Sequence, residues 1–500
     1  MHSVQPGSLK IPLGVGSTSV NDIPSEIITQ ILLVYLRTFW DTRKSPSCSS
    51  QPHILLRGIR LTCKRWRDII AYTPEFWAFV DIQIASSGTP SSSLSELDRW
   101  LERSRQLPLT ISFDMQASVT THAHATLTTR NTAPESPANL LLQRLMDHVS
   151  RWQDVSLNFS LPQSSSYTLP PFSITHRDSM IAPILESLSI SADTRFGYHR
   201  VLQWITPFLV SSPRLHSFAD NHLIGLPLYL VPLSQLREIT LERRWTPIHA
   251  LQILAKMPML ERCQLSLSFD EFEEPSTEAF PTICSAKSMI LSIADIGPTF
   301  FTYLIAPNLT ELSYHVELSP PRGFHQSFCS FLTNIHGQMT SFTITDRFMK
   351  SNELLELLRI LSPSLEKLEI LAEETSQLVG LKSFSKRIVV ALTYHGQIPL
   401  DGGNSGKHLL LCPKLQVLRL ERCEDAVEDG LISNMVASRR AHDSSSGVSE
   451  LFFFSILFLC QSSHPLDVER LIQMRRTGLI GTTKFVHPDE YQTSLGISTL

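Results

Sequence analysis

The sequence predicts an α/β protein in which a small all-α segment at the N-terminus precedes a long, irregular solenoid of strand–helix repeats. Residues 21–80 carry two helical patterns of apolar residues. From about residue 95, short apolar strand segments recur every 20 to 30 residues. The charges are nearly balanced, 43 Lys and Arg against 47 Asp and Glu, which is typical of a chain whose partners are other proteins.

The first helical pattern begins at Pro24, a first-turn position where the missing backbone N–H has no consequence. Apolar residues at i, i+4, i+7 and i+8 define one helix face: Ile27, Ile31, Val34 and Tyr35. Further apolar residues cover most of the remaining surface: Ile28, Leu32, Leu33 and Leu36. A helix that is apolar nearly all round is buried on more than one side.

A polar loop at 41–53 leads to a second predicted helix over about 54–72, which ends before Thr73 and Pro74. The segment closes with Trp77. A module of roughly 60 residues buries only about 60% of its unfolded surface and is marginally stable alone. The surplus of apolar residues therefore predicts a permanent partner for this segment.

The remainder of the chain reads as an irregular repeat. Twelve segments have strand character: 109–113, 155–159, 185–190, 215–218, 236–241, 260–267, 289–293, 309–314, 339–344, 365–370, 415–420 and 451–456. Their spacing is close to the leucine-rich-repeat period, and the core L-x-x-L-x-L is clearest from Leu365 and from Leu415. Stacked units of this kind build one continuous core, so we expect a degenerate leucine-rich-repeat solenoid, or horseshoe.

The predicted organisation follows from these patterns. It comprises a disordered tail at 1–20, a helical domain at 21–80, a leucine-rich-repeat-like solenoid at 95–480 and a C-terminal tail at 481–500. Polar insertions interrupt the solenoid at 115–139, 160–180 and 395–408, and a polar loop is expected at 439–449 before the last strand.

The N-terminal segment resembles an F-box in three separated blocks. The blocks are Ile23-Pro24-x-Glu26-Ile27, Leu61-x-Cys63-Lys64-x-Trp66-Arg67-x-Ile69 and Thr73-Pro74-x-x-Trp77. Ile23 replaces the usual Leu, and Thr62 stands where Val usually precedes the Cys. The leucine-rich remainder, with its late segment 423–440, is similar to F-box proteins of fungal, basidiomycete-type genomes.

The resemblance implies a substrate-recognition subunit of an SCF-type E3 ubiquitin ligase. The F-box would dock on a Skp-family adaptor and through it on a cullin, while the repeats would capture a protein target. It assigns the adaptor interface, or its immediate support, to Ile23, Pro24, Glu26, Ile27, Ile31, Leu61, Cys63, Trp66 and Trp77. The alternative is that these residues merely form a small helical core. Cys63 is expected to pack rather than to act in redox chemistry.

Candidate target-binding residues lie at two strand ends of the solenoid. They are Arg243, Arg244 and Trp245 after one strand, and Arg419 and Arg422 in or after another. Arginines beside an aromatic residue suit an acidic segment of a protein target. The alternative is that they are ordinary solvated strand ends.

Other classes of function find no support in the sequence. The net charge of −4 argues against a dedicated nucleic-acid or membrane surface. The most apolar run, 451–460, is about half the roughly 20 residues that a spanning helix needs. No secretory signal is visible and the eight cysteines are scattered, so we expect reduced thiols and a cytoplasmic or nuclear protein.

No catalytic, cofactor or metal motif stands out. The stretch 402–408 lacks the first Gly and the Ser/Thr of a phosphate loop, and His122 and His124 have no partner ligand nearby. We therefore expect a non-catalytic protein with no cofactor or metal. Two alternatives remain: a scaffold that binds the adaptor without delivering a target, and an enzyme whose catalytic residues are unrecognisable.

Overall fold

The computed structural model describes most of the chain between residues 23 and 485. The described ranges are 23–43, 58–59, 61–84, 93–116, 137–160, 181–192, 205–206, 209–221, 230–268, 280–294, 298–318, 321, 323–346, 348–371, 384–394, 410–421, 427–440, 448–458 and 464–485. The predicted tail at 1–20 lies outside them, as do most of the three insertions. The chain divides into two compact units, Met1–Val155 and Ser156–Leu500.

The first unit combines the N-terminal helices with the first strands. Its elements are α1 (Ser25–Arg43), α2 (Lys64–Tyr72), a 3-10 turn (Pro74–Trp77), β1 (Phe79–Ile84), α3 (Leu94–Arg103), β2 (Leu109–Gln116), α4 (Pro137–Met146), a second 3-10 turn (Val149–Arg151) and β3 (Trp152–Ser160), which contains the unit boundary. Strands β1 and β2 pair in parallel, from Phe79 opposite Thr110 to Ile84 opposite Met115.

The second predicted helix is shorter than the periodicity suggests. Cys63 is extended, with φ −153° and ψ 166°, and its sulfur accepts a hydrogen bond from the Trp66 backbone N–H at 3.5 Å. Cys63 is therefore the N-cap of α2, and the expected helix over 54–72 is interrupted at this residue. A side chain that satisfies one of the first free N–H groups fixes where a helix begins.

Trp77 joins the helical segment to the start of the repeats. Its side chain is only 4% exposed, and its indole N–H donates to the Ile70 carbonyl oxygen at 2.8 Å. Its ring meets the Trp100 ring edge-on, with centroids 5.4 Å apart. α1, α2 and α3 therefore share one core, which extends across the predicted boundaries at 80 and 95.

The second unit is a solenoid-like α/β structure with an open, parallel sheet. The eleven strands lie in chain order: β4 (Ser187–Ala192), β5 (Ser217–Asn221), β6 (Glu238–Trp245), β7 (Arg262–Ser268), β9 (Ser288–Ala294), β11 (Glu311–Val316), β12 (Ser341–Asp346), β13 (Lys367–Ile370), β14 (Val417–Glu421), β15 (Phe453–Phe458) and β16 (Ile480–Phe485). Two short strands form a separate pair: β8 (Thr282–Ile283) and β10 (Leu304–Ile305).

Helices connect these strands and pack on one another in sequence. They are α5 (Pro247–Leu254), α6 (Thr299–Tyr303), α7 (Phe324–Ile335), α8 (Ser351–Leu361), α9 (Lys386–Leu392), α10 (Leu431–Ser438) and α11 (Pro465–Arg476), with a 3-10 turn at Leu233–Gln235. Alternate strand residues are buried, as in β13 and β15. The core therefore lies between the sheet and the helix layer.

All twelve predicted strand segments correspond to strands, which confirms the α/β class, and the sheet of these strands is parallel and open, as in a solenoid-like fold. Three findings differ from the expectation. β1 was not predicted, β16 continues into the segment expected to be a C-terminal tail, and the expected polar loop at 439–449 begins with the fully buried Arg439. Residues 441–447 of that loop lie outside the described residues.

We expect Gly481→Ala to destabilise the second unit. Gly481 lies opposite Phe454 in the β15–β16 pair, and an added Cβ would overlap both the Phe454 ring and its carbonyl oxygen. Overpacking of this kind costs about 1–3 kcal/mol. Urea unfolding measures the loss, and Gly337→Ala is the matched control, because nothing lies within 4 Å of a Cβ there. Equal unfolding midpoints for the two variants would contradict the packing described.

Candidate functional site

An exposed apolar face runs along α1. We call it the α1 face, and it consists of Ile27, Ile31, Val34 and Tyr35, which are 50%, 57%, 60% and 52% exposed. Residues on the adjoining side of the helix are buried in the core of the first unit: Ile28, Leu32, Leu33 and Leu36. The helix is thus apolar on two sides, as the sequence predicts, and the core formed by the described residues of this unit covers one of them.

The other predicted adaptor residues occupy three kinds of position. Pro24 and Glu26 are exposed at the start of α1, and Leu61 is 71% exposed before α2. Ile23 and Trp66 are half-buried against the core, and Cys63 is exposed while its sulfur caps α2. Trp77 is a core residue, a position that fits support of the interface rather than direct contact.

Arg65 was not singled out from the sequence, although it lies within the second motif block. Its guanidinium donates hydrogen bonds to the Ile23 carbonyl oxygen and to Ser25 Oγ, the latter at 3.3 Å. These contacts tie the start of α2 to the start of α1, about 40 residues away in the chain. Arg65 lies between Lys64 and Trp66 of the motif, and only the fold shows which groups it binds.

In the second unit, the strand residues that alternate with the buried ones form the other side of the sheet, which we call the open face. A central row of these residues is mostly small or polar: Ser189, Ala219, Thr240, Gln264, Ile290, Ser313, Thr343, Glu369, Arg419, Ser455 and Thr482. Such a surface presents hydroxyl groups and a few charges, and it does not form an apolar groove. It suits contact with another polar protein surface.

The first predicted target-binding group lies at the end of β6. Arg244 forms an ion pair with Glu317 at 2.8 Å, and Glu317 also accepts a hydrogen bond from Ser292 Oγ at 2.9 Å. The Arg243 guanidinium lies 5.7 Å from the centre of the Trp245 ring. Two of the three residues therefore form one small cation–π pair, while the third is already paired with a carboxylate.

The second predicted group is separate from the first. Arg419 in β14 pairs with Glu421 of its own strand at 2.6 Å, and Arg422 lies outside the described residues. Six strand-to-strand steps lie between β6 and β14. At about 4.8 Å a step this is roughly 29 Å, so the two groups do not form one site.

A buried arginine stabilises the C-terminal part of the second unit. Arg439 is fully buried and donates to the carbonyl oxygens of Leu392, Leu411 and Cys412 at 2.7, 2.6 and 2.9 Å. Burial lowers the pKa of its guanidinium to about 10, so the group stays charged at neutral pH. Its role is to satisfy backbone carbonyls where α9, the segment before β14 and α10 meet.

Two side-chain clusters have the residue types of metal ligands. In the first, Asp429, His464 and Asp467 lie close together, with His464 Nδ1 at 2.9 Å from Asp467 Oδ2. In the second, His325 Nε2 lies 3.0 Å from Glu356 Oε2 and 3.3 Å from Cys329 Sγ. Neither cluster is evident from the sequence, because each needs one residue from a distant segment, Glu356 in one case and Asp429 in the other.

The comparisons with known proteins add little. No family model matches the chain, and no curated protein matches it. Among solved structures, the chain is similar to a structural-genomics target from Bacteroides fragilis, with 11% identity over 72% of this chain and 85% of that chain, and a TM-score of 0.29. A likeness this low supports no inference about fold or function. Within the described residues, no helix is long and apolar enough to cross a membrane.

We expect Arg439→Met to lower the free energy of unfolding by about 2–4 kcal/mol, because three buried carbonyl oxygens would lose their donor. Arg476→Met, on the exposed side of α11, is the matched control and should change stability little. Chemical denaturation of both variants provides the measurement. Unchanged stability of Arg439→Met would show that water or another donor replaces the guanidinium.

Alkylation at neutral pH should distinguish the cysteines. Cys63 is exposed, whereas Cys263, Cys284, Cys329 and Cys412 are buried. Burial raises the pKa of all four buried thiols, that of Cys329 to about 11 and that of Cys412 to about 12, so their reactive thiolate is scarce. Among these five cysteines, we expect iodoacetamide to modify Cys63 first, as peptide mass spectrometry would show. Modification of Cys263 at a similar rate in the folded chain would contradict this prediction.

Proposed function

We propose that this chain is a non-catalytic substrate-recognition subunit of an SCF-type ubiquitin ligase. In this proposal the N-terminal helices dock on a Skp-family adaptor, and the repeats present the open face to a protein target. The observation that carries the proposal is the α1 face, an exposed apolar stripe on the helix that bears the first F-box-like block.

The α1 face has the form of a helix-docking surface. Its four side chains recur at i, i+4, i+7 and i+8, so they occupy a single stripe of about 100° on the helix. Half-exposed Ile, Val and Tyr side chains in one stripe lose unfavourable contact with water when a partner groove covers them. This supports binding through a helix laid into a hydrophobic groove.

The core side of α1 supports the proposal in a second way. Leu36 is fully buried and Ile28 is 3% exposed, so α1 is held in place by the core of its own unit. Arg65 adds a polar link between the starts of the two helices. A surface that is already rigid loses little conformational entropy on binding, which favours affinity.

The proposed mechanism is proximity. The chain would hold a target lysine close to a ubiquitin-charged enzyme, which raises the effective concentration of the lysine without chemistry in this chain. Target capture would use the polar central row of the open face, with the Arg243–Trp245 pair as one contact for an acidic segment. Arg244 and Arg419 contribute less in this proposal, because each is paired with a carboxylate of its own unit.

Ile31→Asp should abolish or strongly weaken adaptor binding. Ile31 is 57% exposed, so the change should spare the fold while placing a charge in the centre of the α1 face. We expect the dissociation constant for a purified Skp-family adaptor to rise at least about 30-fold, which is the size of a hot-spot effect of about 2 kcal/mol. Calorimetry or surface plasmon resonance gives the measurement.

The matched control is Val210→Asp, which introduces the same charge at a 68% exposed apolar residue of the second unit. It should bind the adaptor as the unchanged chain does. Absence of adaptor binding by the unchanged chain, or equal binding by Ile31→Asp, would refute the docking proposal.

Delivery of a target is tested separately in cells. Proteins that co-purify with the unchanged chain should carry more ubiquitin than those that co-purify with Ile31→Asp, because only the former is linked to a cullin. Equal ubiquitination of the captured proteins, together with normal adaptor binding, would instead favour a scaffold that binds the adaptor without delivering a target.

A further inference from the structure

The second His-containing cluster lies between two neighbouring helices of the second unit. His325 and Cys329 are one turn apart on α7, and Glu356 lies on α8, which packs beside α7. The three candidate ligand atoms, an imidazole Nε2, a thiol Sγ and a carboxylate oxygen, lie within 4.8 Å of one another. Residues four apart on a helix point the same way, so two of the ligands are fixed by a single helix.

Hydrogen bonding alone does not account well for this arrangement. Both short contacts, 3.0 Å to Glu356 and 3.3 Å to Cys329, involve the same nitrogen of His325. That nitrogen carries either one proton or one lone pair. If it donates to the carboxylate, the Cys329 sulfur can share that proton only as a weak acceptor; if it accepts from the thiol, it faces the carboxylate oxygen without a proton. A cation at the centre satisfies all three atoms together.

The distances approach those of a tetrahedral zinc site. Zn–N and Zn–O bonds of about 2.0–2.2 Å and Zn–S bonds of about 2.3 Å place tetrahedral ligand atoms roughly 3.3–3.6 Å apart. The two contacts of His325 are within a few tenths of an ångström of that range. Glu356 and His325 are partly exposed, so their side chains have freedom to complete the geometry.

The other cluster provides a useful contrast. The Asp429 carboxylate accepts the backbone N–H groups of Leu466 and Asp467 at 3.1 and 3.0 Å, and Asp467 accepts the Ser433 N–H at 2.7 Å. These carboxylates cap the starts of α11 and α10, which explains their positions fully. Glu356 has no such backbone partner among the described residues, and neighbouring Glu353 already accepts the Lys350 N–H.

We propose that His325, Cys329 and Glu356 bind a Zn²⁺ ion that joins α7 to α8. Zinc is the common protein metal that combines thiolate, imidazole and carboxylate ligands in a tetrahedral shell. Three protein ligands leave a fourth position on the exposed side of the helices. The ion would add a cross-link between two adjacent helices that each also bury apolar side chains.

Cobalt and zinc salts test this site on the full chain, first stripped with a chelator. Co²⁺ should give one thiolate-to-metal charge-transfer band, which Zn²⁺ should remove by displacement. We expect Cys329→Ser to lose the band, and Glu356→Gln and His325→Asn to weaken cobalt binding at least about tenfold. Added Zn²⁺ should raise the unfolding temperature of the unchanged chain but not of these variants.

Matched controls are Cys63→Ser, an exposed cysteine elsewhere, and His336→Asn, an exposed histidine just after α7. Both should keep the band and the thermal shift. If Cys329→Ser does not fold, the other two variants decide, because Glu356 is exposed and His325 is partly exposed. Absence of the band in the unchanged chain, or its persistence in Glu356→Gln and His325→Asn at unchanged affinity, would overturn the proposal.

Discussion

The second unit depends on the register of its parallel strands. Equivalent positions of successive strands lie side by side, so one row of buried residues crosses the sheet: Leu312, Phe342, Leu368, Leu418 and Phe454. No single strand–helix repeat can bury such a row alone, and each repeat is stable only because its neighbours cover it. A shift of one residue in any strand would turn its apolar side chains to the open face.

The register constrains the strands but not the lengths of the segments that connect them. The helices of the second unit range from the five residues of α6 to the twelve of α7 and α11. Irregular repeat lengths are therefore compatible with a regular sheet. They also explain why side chains such as Arg439 are needed, since a connection of unusual length brings backbone carbonyls into the interior without strand partners.

The strands could be predicted because alternation of buried and exposed residues is a local signal, readable within six residues. The α1 face was likewise visible as a spacing. The break at Cys63 was not, because an apolar pattern continues through it and only the cap geometry shows that the helix starts there. Contacts between segments that are distant in the sequence cannot be predicted from periodicity. The interactions of Arg65, of Arg439 and of the His325–Cys329–Glu356 cluster are of this kind.

The edge-on contact between Trp77 and Trp100 bears on how the chain can be dissected. The N-terminal helices and α3 are two parts of one interior, and Arg103 lies over the Trp77 ring at 4.4 Å. Removal of residues 21–80 would expose Trp100 to water and destabilise the first strand–helix repeats. If a truncated chain failed to bind a partner, the loss could come from misfolding of the remaining residues as well as from removal of the interface. Single substitutions of surface residues therefore test the binding surfaces of this protein more directly than truncation does.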